Sequence, residues 1–380
     1  MIKVSSRTRM GPAMARRIAS LPVARRPVRR LAGAFLGLSM AMSQPALAAE
    51  LAPPPVTADP LHRCTLELAG PIVAGDAERL ADRLEFGGIL CLRGPGGSYP
   101  EGVKLALMLH EKGIATEVRA EQSCLSACAI AFMGGSTVTE TDLGAFPHRY
   151  LHKDATLGFH APYLEIGEGD FDRESVLSAY QAAIQAIGLL IANRETLNLP
   201  TQLIEALLEK GSDDFEFVDT VDEAGLYKIG LFGYGDLSYG RALGAACWNA
   251  NAWKNRNEFG QIGDPPSDEF IYENTYRPES TAEAGDVNVE VGALDSYWCK
   301  VKLATRTSYP DFYADYTRGF GGLVTQVTFY DHGNDDGDGD QGLRPSSRIL
   351  EFPAWTMLPG LTTISDLPAG RFHDFSFLFL

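Results

Sequence analysis

Leu92-Arg93-Gly94-Pro95-Gly96-Gly97-Ser98 is the stretch on which the reading of this chain turns. It follows a short apolar run, Ile89-Leu90-Cys91-Leu92. It precedes Glu101 to Lys112, where Val103, Ala106 and Leu107 recur at i, i+3 and i+4 with Leu105, Met108 and Leu109 beside them. A brief apolar run ended by glycine reads as a strand, and so wide an apolar surface at helical spacing reads as a largely buried helix. The glycines between them let backbone N–H groups approach a ligand with no Cβ in the way. No Gly-Lys-Ser/Thr follows, so the loop is not a Walker A loop.

The same alternation extends on both sides. Leu66-Glu67-Leu68 reads as a strand and Asp76 to Arg83 as a helix. Ile114 to Val118 is a further strand, Ser126 to Met133 a short buried helix, and Ala155 to Phe159 a strand-like run. Long helices are expected over Arg173–Arg194 and Pro200–Lys210. Strands and helices in turn give an α/β domain. Beyond Gly235 helical periodicity fades, all four tryptophans appear (Trp248, Trp253, Trp298, Trp355), and Leu323 to Tyr330 and Phe375 to Leu380 are short apolar stretches among Gly, Pro, Asn and Asp. That shift predicts a smaller β-rich module with its own core. The expected division is residues 1–48, a signal peptide; 49–62, a Pro-rich linker; 63–236, the α/β domain; and 237–380, the β-rich module.

The leader is read from charge. Nine basic residues and no Asp or Glu precede residue 49, followed by the apolar run Leu31 to Met42 and the small-x-small site Ala46-Leu47-Ala48. This is the pattern of an export signal, too short in its apolar part to span a bilayer comfortably. Removing nine positive charges from a chain of net charge −16 leaves −25. So acidic a protein repels nucleic acid and anionic lipid. No later segment is expected to cross a membrane, and the mature protein is expected in the periplasm or secreted.

All six cysteines follow the leader. An even count in an exported chain reads as disulfides, and six cysteines allow 15 connectivities. Cys247–Cys299 ranks first, then Cys64–Cys91, then Cys124–Cys128. No Cys-x-x-Cys occurs, which argues against zinc. Asp336, Asp338 and Asp340 alternate as in a calcium loop, but Gln341 and Ser347 stand where glycine and glutamate belong, so a solvated loop is expected. No metal or cofactor is expected.

Two further segments carry chemistry: Cys124-Leu125-Ser126-Ala127-Cys128 and Leu157-Gly158-Phe159-His160. A serine before a helix is ordinarily an N-cap, and a lone histidine ordinarily structural. A hydroxyl at a helix N-terminus also lies beside free N–H donors that would hold a developing oxyanion. The order Pro-Gly-Gly, then Ser-Ala at a helix start, then Gly-Phe-His resembles the Clp protease proteolytic subunit, and more closely its exported relatives in the Clp/crotonase superfamily. The resemblance covers Cys64 to Gly235.

That resemblance implies a Clp/crotonase-like domain and a serine peptidase or other serine hydrolase. Ser126 is then the nucleophile, His160 the general base, and the N–H groups of Gly97 and Ala127 the oxyanion hole. The third member falls among Asp213, Asp214 and Asp219, with Asp214 preferred. Peptide or protein is the implied substrate. No ATPase partner is expected outside the cytoplasm, and the oligomeric state stays open. Two features depart from the family. Ser126 and His160 are 34 residues apart, with an apparent insertion from Thr141 to Lys153, and two cysteines bracket the serine. Other readings are a Ser–Lys dyad through Lys153, a Cys–His mechanism through Cys124, crotonase-type acyl-CoA chemistry, and a non-catalytic binding scaffold on the same fold.

Overall fold

The structure is a computed structural model that describes residues 49–53, 64–138, 145–163, 172–211, 214–235, 237, 239–259, 265–275, 285–291, 297–304, 323–331, 344–373 and 378–379. The expected leader, most of the Pro-rich linker, Asp213 and the acidic stretch 332–340 lie outside these residues.

Along the chain, β1 (Glu50–Ala52) and β2 (Leu66–Ala69) are followed by helix α1 (Asp76–Ala81), β3 (Ile89–Arg93) and α2 (Tyr99–Glu111). Next come β4 (Ala115–Val118), β5 (Ser123–Leu125), α3 (Ala127–Phe132), β6 (Ser136–Val138), β7 (Ala145–Pro147), β8 (Arg149–His152) and β9 (Thr156–Phe159). Then follow α4 (Arg173–Ala192), α5 (Thr201–Glu209), β10 (Glu216–Phe217), α6 (Val221–Leu226) and β11 (Gly230–Tyr234). The remainder holds α7 (Ala242–Phe259), α8 (Asp268–Asn274), β12 (Gly285–Val291), β13 (Tyr297–Ala304), β14 (Leu323–Asp331), β15 (Arg344–Phe352), β16 (Ala369–His373) and β17 (Leu378–Phe379).

The mixed α/β architecture is built on a seven-stranded sheet of order β1-β2-β3-β4-β8-β11-β16. Its five central strands run parallel, and β1 and β16 add antiparallel edges. Every residue of β2, β4 and β11 is buried, as strands covered on both faces require. The polar groups this burial traps are paired. Glu67 accepts hydrogen bonds from Arg93 and Arg119, and the Arg149 guanidinium donates to the main-chain carbonyls of Met133, Leu197, Asn198 and Lys228.

A small second sheet, β10-β9-β5, leaves the first where Gly94 bridges Cys124. Five C-terminal strands form a separate antiparallel sheet of order β12-β13-β14-β15-β17.

Two expectations need correction. The apparent insertion Thr141–Lys153 contains β8, a central strand of the main sheet, so it is part of the framework. Helix α4 is long and apolar enough, by length and composition, to cross a membrane, against the expectation that no later segment is. Within the fold, its Ala179, Ala182, Ala183 and Ala186 line a cavity, while Leu177, Tyr180, Ile184 and Ile191 are exposed. The stretch after 236 also contributes to the first part of the chain among the described residues. Helix α7 lies there, β16 completes the main sheet, and Trp253 and Trp355 belong to the same buried cluster as α2 and α3.

Candidate active site

The serine turn is built by β5 and α3. Leu125 ends the strand, Ala127 opens the helix, and Ser126 between them adopts φ 57°, ψ −124°. A residue with a Cβ pays for that left-handed geometry, which persists only where the surroundings over-determine it. Here they do. Leu125 N–H donates to Gly94 O (3.0 Å), Ser126 N–H to Gly158 O (2.9 Å), and a Cys124–Cys128 disulfide spans the turn. Ser126 sits at the N-cap position of α3, yet its side chain makes no capping hydrogen bond. The ordinary N-cap reading therefore fails, and the hydroxyl is not spent on the helix. A strained serine on a strand-to-helix turn that lines a cavity has the backbone geometry of a nucleophile elbow.

The glycine loop closes over this turn. Gly96 has φ +104°, and a Cβ there would lie 2.5 Å from Ser126 Cβ and 3.0 Å from its Oγ. Gly97, with φ +132°, pairs in parallel with Ile72: Ile72 N–H donates to Gly96 O (2.7 Å) and Ser98 N–H to Ile72 O (2.8 Å). These bonds use the carbonyl before Gly97 and the N–H after it, leaving Gly97 N–H uncommitted among the described residues. The first N–H groups of a helix likewise have no intrahelical acceptor, which includes that of Ala127. Ala127 is fully buried and is not part of the cavity wall.

His160 leaves the end of β9, the parallel neighbour of β5, with Leu125 in register with Gly158. Serine and histidine thus emerge from the C-terminal ends of adjacent parallel strands. The imidazole is 3% exposed and packs against the rings of Phe215 (4.8 Å) and Tyr163 (5.0 Å). Its Nδ1 lies 2.6 Å from Ala161 O. A carbonyl only accepts, so Nδ1 is the donor here, and in the neutral ring that leaves the lone pair on Nε2, the tautomer a general base requires. Ser126 and His160 are not hydrogen-bonded to each other among the described residues, a looseness common in free sites.

Ser126, His160 and Gly97 meet in one cavity of about 390 Å³, whose wall also includes Pro95, Tyr99 and Tyr163 and the alanine face of α4. Every lining residue lies between Pro95 and Ala186, and none is charged.

Asp214 is not brought to the site. Its carboxylate is 68% exposed and faces Lys210 Nζ at 3.9 Å, and the neighbour that touches His160 is Phe215. Asp219 lies just before α6, where its main-chain N–H donates to Glu223 Oε2 (2.7 Å) and its main-chain carbonyl accepts from Ile364, and it is not among the residues lining the cavity. Lys153, the alternative base, donates to Asp154 (2.6 Å) and Ser365 O (3.1 Å). Cys124 is held in its disulfide, which removes it as a nucleophile. Cys64–Cys91 and Cys247–Cys299 are the other two pairs, and no cysteine is free among the described residues. Three such pairs fit an oxidising compartment.

Tyr99 and the alanines of α4 went unread in the sequence as site residues. Tyr99 carried one signal, its place directly after Gly96-Gly97-Ser98. The alanines carried none, because a small-residue face on a helix reads only as packing. No family model matches the chain, and no curated protein matches it.

Proposed function

We propose that this chain is an exported serine hydrolase of the Clp/crotonase superfamily, acting on peptide or protein substrates in the periplasm or after secretion. The observation that carries the reading is Ser126 in strained geometry on a strand-to-helix turn, its hydroxyl free of the helix and in one cavity with a Nδ1-protonated His160. Ser126 Oγ attacks the scissile carbonyl carbon while His160 Nε2 takes the hydroxyl proton. The oxyanion is received by the N–H group of Gly97, which lines the cavity with Ser126. The imidazolium then protonates the leaving amine as the C–N bond breaks. Water, deprotonated by the same Nε2, releases the acyl group and restores the serine. The scheme calls for no metal, cofactor or ATPase partner.

In this scheme Ala161 O replaces the carboxylate of a triad. It fixes the tautomer, the loss of which costs about 10⁴-fold where a triad aspartate is replaced by asparagine, but it does not neutralise the imidazolium. A slow hydrolase is the consequence. The same observation favours the second reading, a binding scaffold that keeps the residues without the chemistry.

The test is labelling of the purified mature protein by a fluorophosphonate probe. Labelling is expected in the native chain and absent in Ser126→Ala and His160→Ala at unchanged circular dichroism. Labelling that persists in Ser126→Ala removes the nucleophile assignment, and a native chain that never labels leaves the scaffold reading in its place.

A further inference from the structure

Strand β10 brings two phenylalanines to the site. It pairs antiparallel with β9, Glu216 opposite Phe159 and Phe217 opposite Gly158, and the same register carried one residue further sets Phe215 opposite His160. Residues two apart on a strand share a face. The two phenyl rings are 5.5 Å apart, and Phe215 meets the imidazole at 4.8 Å with the planes 71° apart. Phe217 lies against Gly158, where a Cβ would come 2.9 Å from its ring, and Gly158 O is the acceptor for Ser126 N–H. One aromatic pair therefore touches both the base and the backbone that holds the serine. Tyr163 meets the imidazole separately, at 5.0 Å, and makes no ring contact with Phe215 among the described residues. Glu216, between the two phenylalanines, anchors the strand by accepting from the Tyr227 hydroxyl (3.0 Å) and pairing with Lys210 (3.6 Å).

A histidine χ2 is a broad, roughly two-fold torsion, so an imidazole has a second setting about 180° away. Turned over, the His160 ring would put Cδ2 at Ala161 O in place of Nδ1, and Cε1 where Nε2 stood. The base would be lost without any change in the backbone. Among the described residues the bond to Ala161 O (2.6 Å) is the ring's one hydrogen bond, and Asp214 is directed to Lys210 instead. We propose that Phe215 is the positioning residue of the His160 base, holding the imidazole by ring packing in the setting that a buried carboxylate would otherwise secure. The catalytic consequence rests on the function proposed above; the ring setting itself requires no turnover. A phenyl ring takes no proton and carries no charge, so Phe215 orients the imidazole without neutralising it, in keeping with a slow hydrolase.

The experiment uses the full mature chain labelled with ¹⁵N. Long-range ¹H–¹⁵N spectra at about pH 8.5, above the ordinary imidazole range, read which ring nitrogen of each histidine carries the proton. The His160 signals are those missing from His160→Ala. One Nδ1-protonated set is expected in the native chain and in Phe215→Tyr, which keeps the ring. In Phe215→Ala an Nε2-protonated form is expected to appear, with fluorophosphonate labelling slowed about 3- to 10-fold, the range of one aromatic pair. Should Phe215→Ala lose its circular dichroism, Phe215→Leu, apolar but without a ring, is read in its place with the same expectation. An unchanged Nδ1-protonated set in that variant overturns the proposal, whatever its labelling rate, since the ring would then not set the imidazole. A native chain without a single Nδ1-protonated form, or Phe215→Tyr behaving like Phe215→Ala, overturns it too. Labelling separates the two claims. A chain that never labels but whose tautomer depends on Phe215 loses the hydrolase reading alone. A chain that labels but keeps its tautomer without the Phe215 ring loses the Phe215 reading alone.

Discussion

Ser126 carries two demands in one residue, a hydroxyl and a backbone angle that glycine would meet more cheaply. These separate by mutation. Ser126→Ala removes the hydroxyl and keeps the strain, whereas Ser126→Gly removes both. Urea denaturation is expected to show Ser126→Gly about 1 kcal/mol more stable than Ser126→Ala, within the range of one strained residue, with neither protein labelled. Equal stability would mean that φ 57° is not strained in this setting. Gly96 is the complement. A Cβ 2.5 Å from Ser126 Cβ, at φ +104°, cannot be accommodated without moving the turn. Gly96→Ala is therefore expected to lose about 2 kcal/mol or more and its labelling together. The sequence exposed the pattern Leu-Ser-Ala but not the angle. An N-cap serine and a serine on a strained turn are written alike, and only the uncapped side chain and positive φ tell them apart. The third member was hard to read for a similar reason: three aspartates near one helix are indistinguishable in sequence, Asp214 faces Lys210, and among the described residues the group on His160 Nδ1 is a carbonyl, which every residue carries.

At the scale of elements, apolar periodicity was enough to place α2, α3, α4 and α5 within a few residues of where they lie, because each has a face or a core to satisfy. It misjudged β8, whose Arg149-Tyr150-Leu151-His152 looks polar. Its arginine is buried only because four main-chain carbonyls surround it, a partnership no linear pattern displays. Exposure of α4 was equally illegible, since an apolar helix reads the same whether or not it is covered. The disulfides divide the labour between elements. Cys124 and Cys128 are 4 apart and Cys247 and Cys299 are 52 apart. Loop closure then gives about 2 kcal/mol for the first bridge and about 4 kcal/mol for the second. The short bridge adds less stability but spans the strained serine. Cys124→Ala/Cys128→Ala is expected to lose most of its labelling rate for about 2 kcal/mol, while Cys247→Ala/Cys299→Ala loses about 4 kcal/mol and labels normally while folded. Equal labelling in the first variant would show that the main-chain bonds of the turn suffice.

From Ala46 onward the chain forms one compact unit by its contacts, although composition divides it near residue 236. Composition reports where tryptophans and turn residues lie, not where their side chains are buried. Trp253 on α7 donates to Asp222 of α6 (3.0 Å), and Arg256 pairs with the same carboxylate. Asn249 Nδ2 donates to Thr356 O and Leu358 O, both at 2.8 Å. The start of α6 leans on the following chain, Val221 N–H to Thr362 O (3.0 Å) and Asp222 N–H to Gly360 O (2.9 Å), while β16 pairs with β11 at the sheet edge. Asp222 is 4% exposed, so its charge is tolerable only while Arg256 is present. Arg256→Ala strands it and is expected to cost about 3–5 kcal/mol. Truncation after Arg241 is the harsher form of the same experiment. It removes Trp253, Trp355, Arg256 and β16 at once, leaving Asp222 unpaired, β11 an open edge, and the buried sides of α6 in water. The fragment 49–241 is therefore expected to lack the near-ultraviolet circular dichroism of the mature protein and to fail to label. The intact chain is expected to melt in one transition. A fragment that stays folded and labels would show that the strands and helices before residue 236 hold a sufficient core, with the later chain docked onto it.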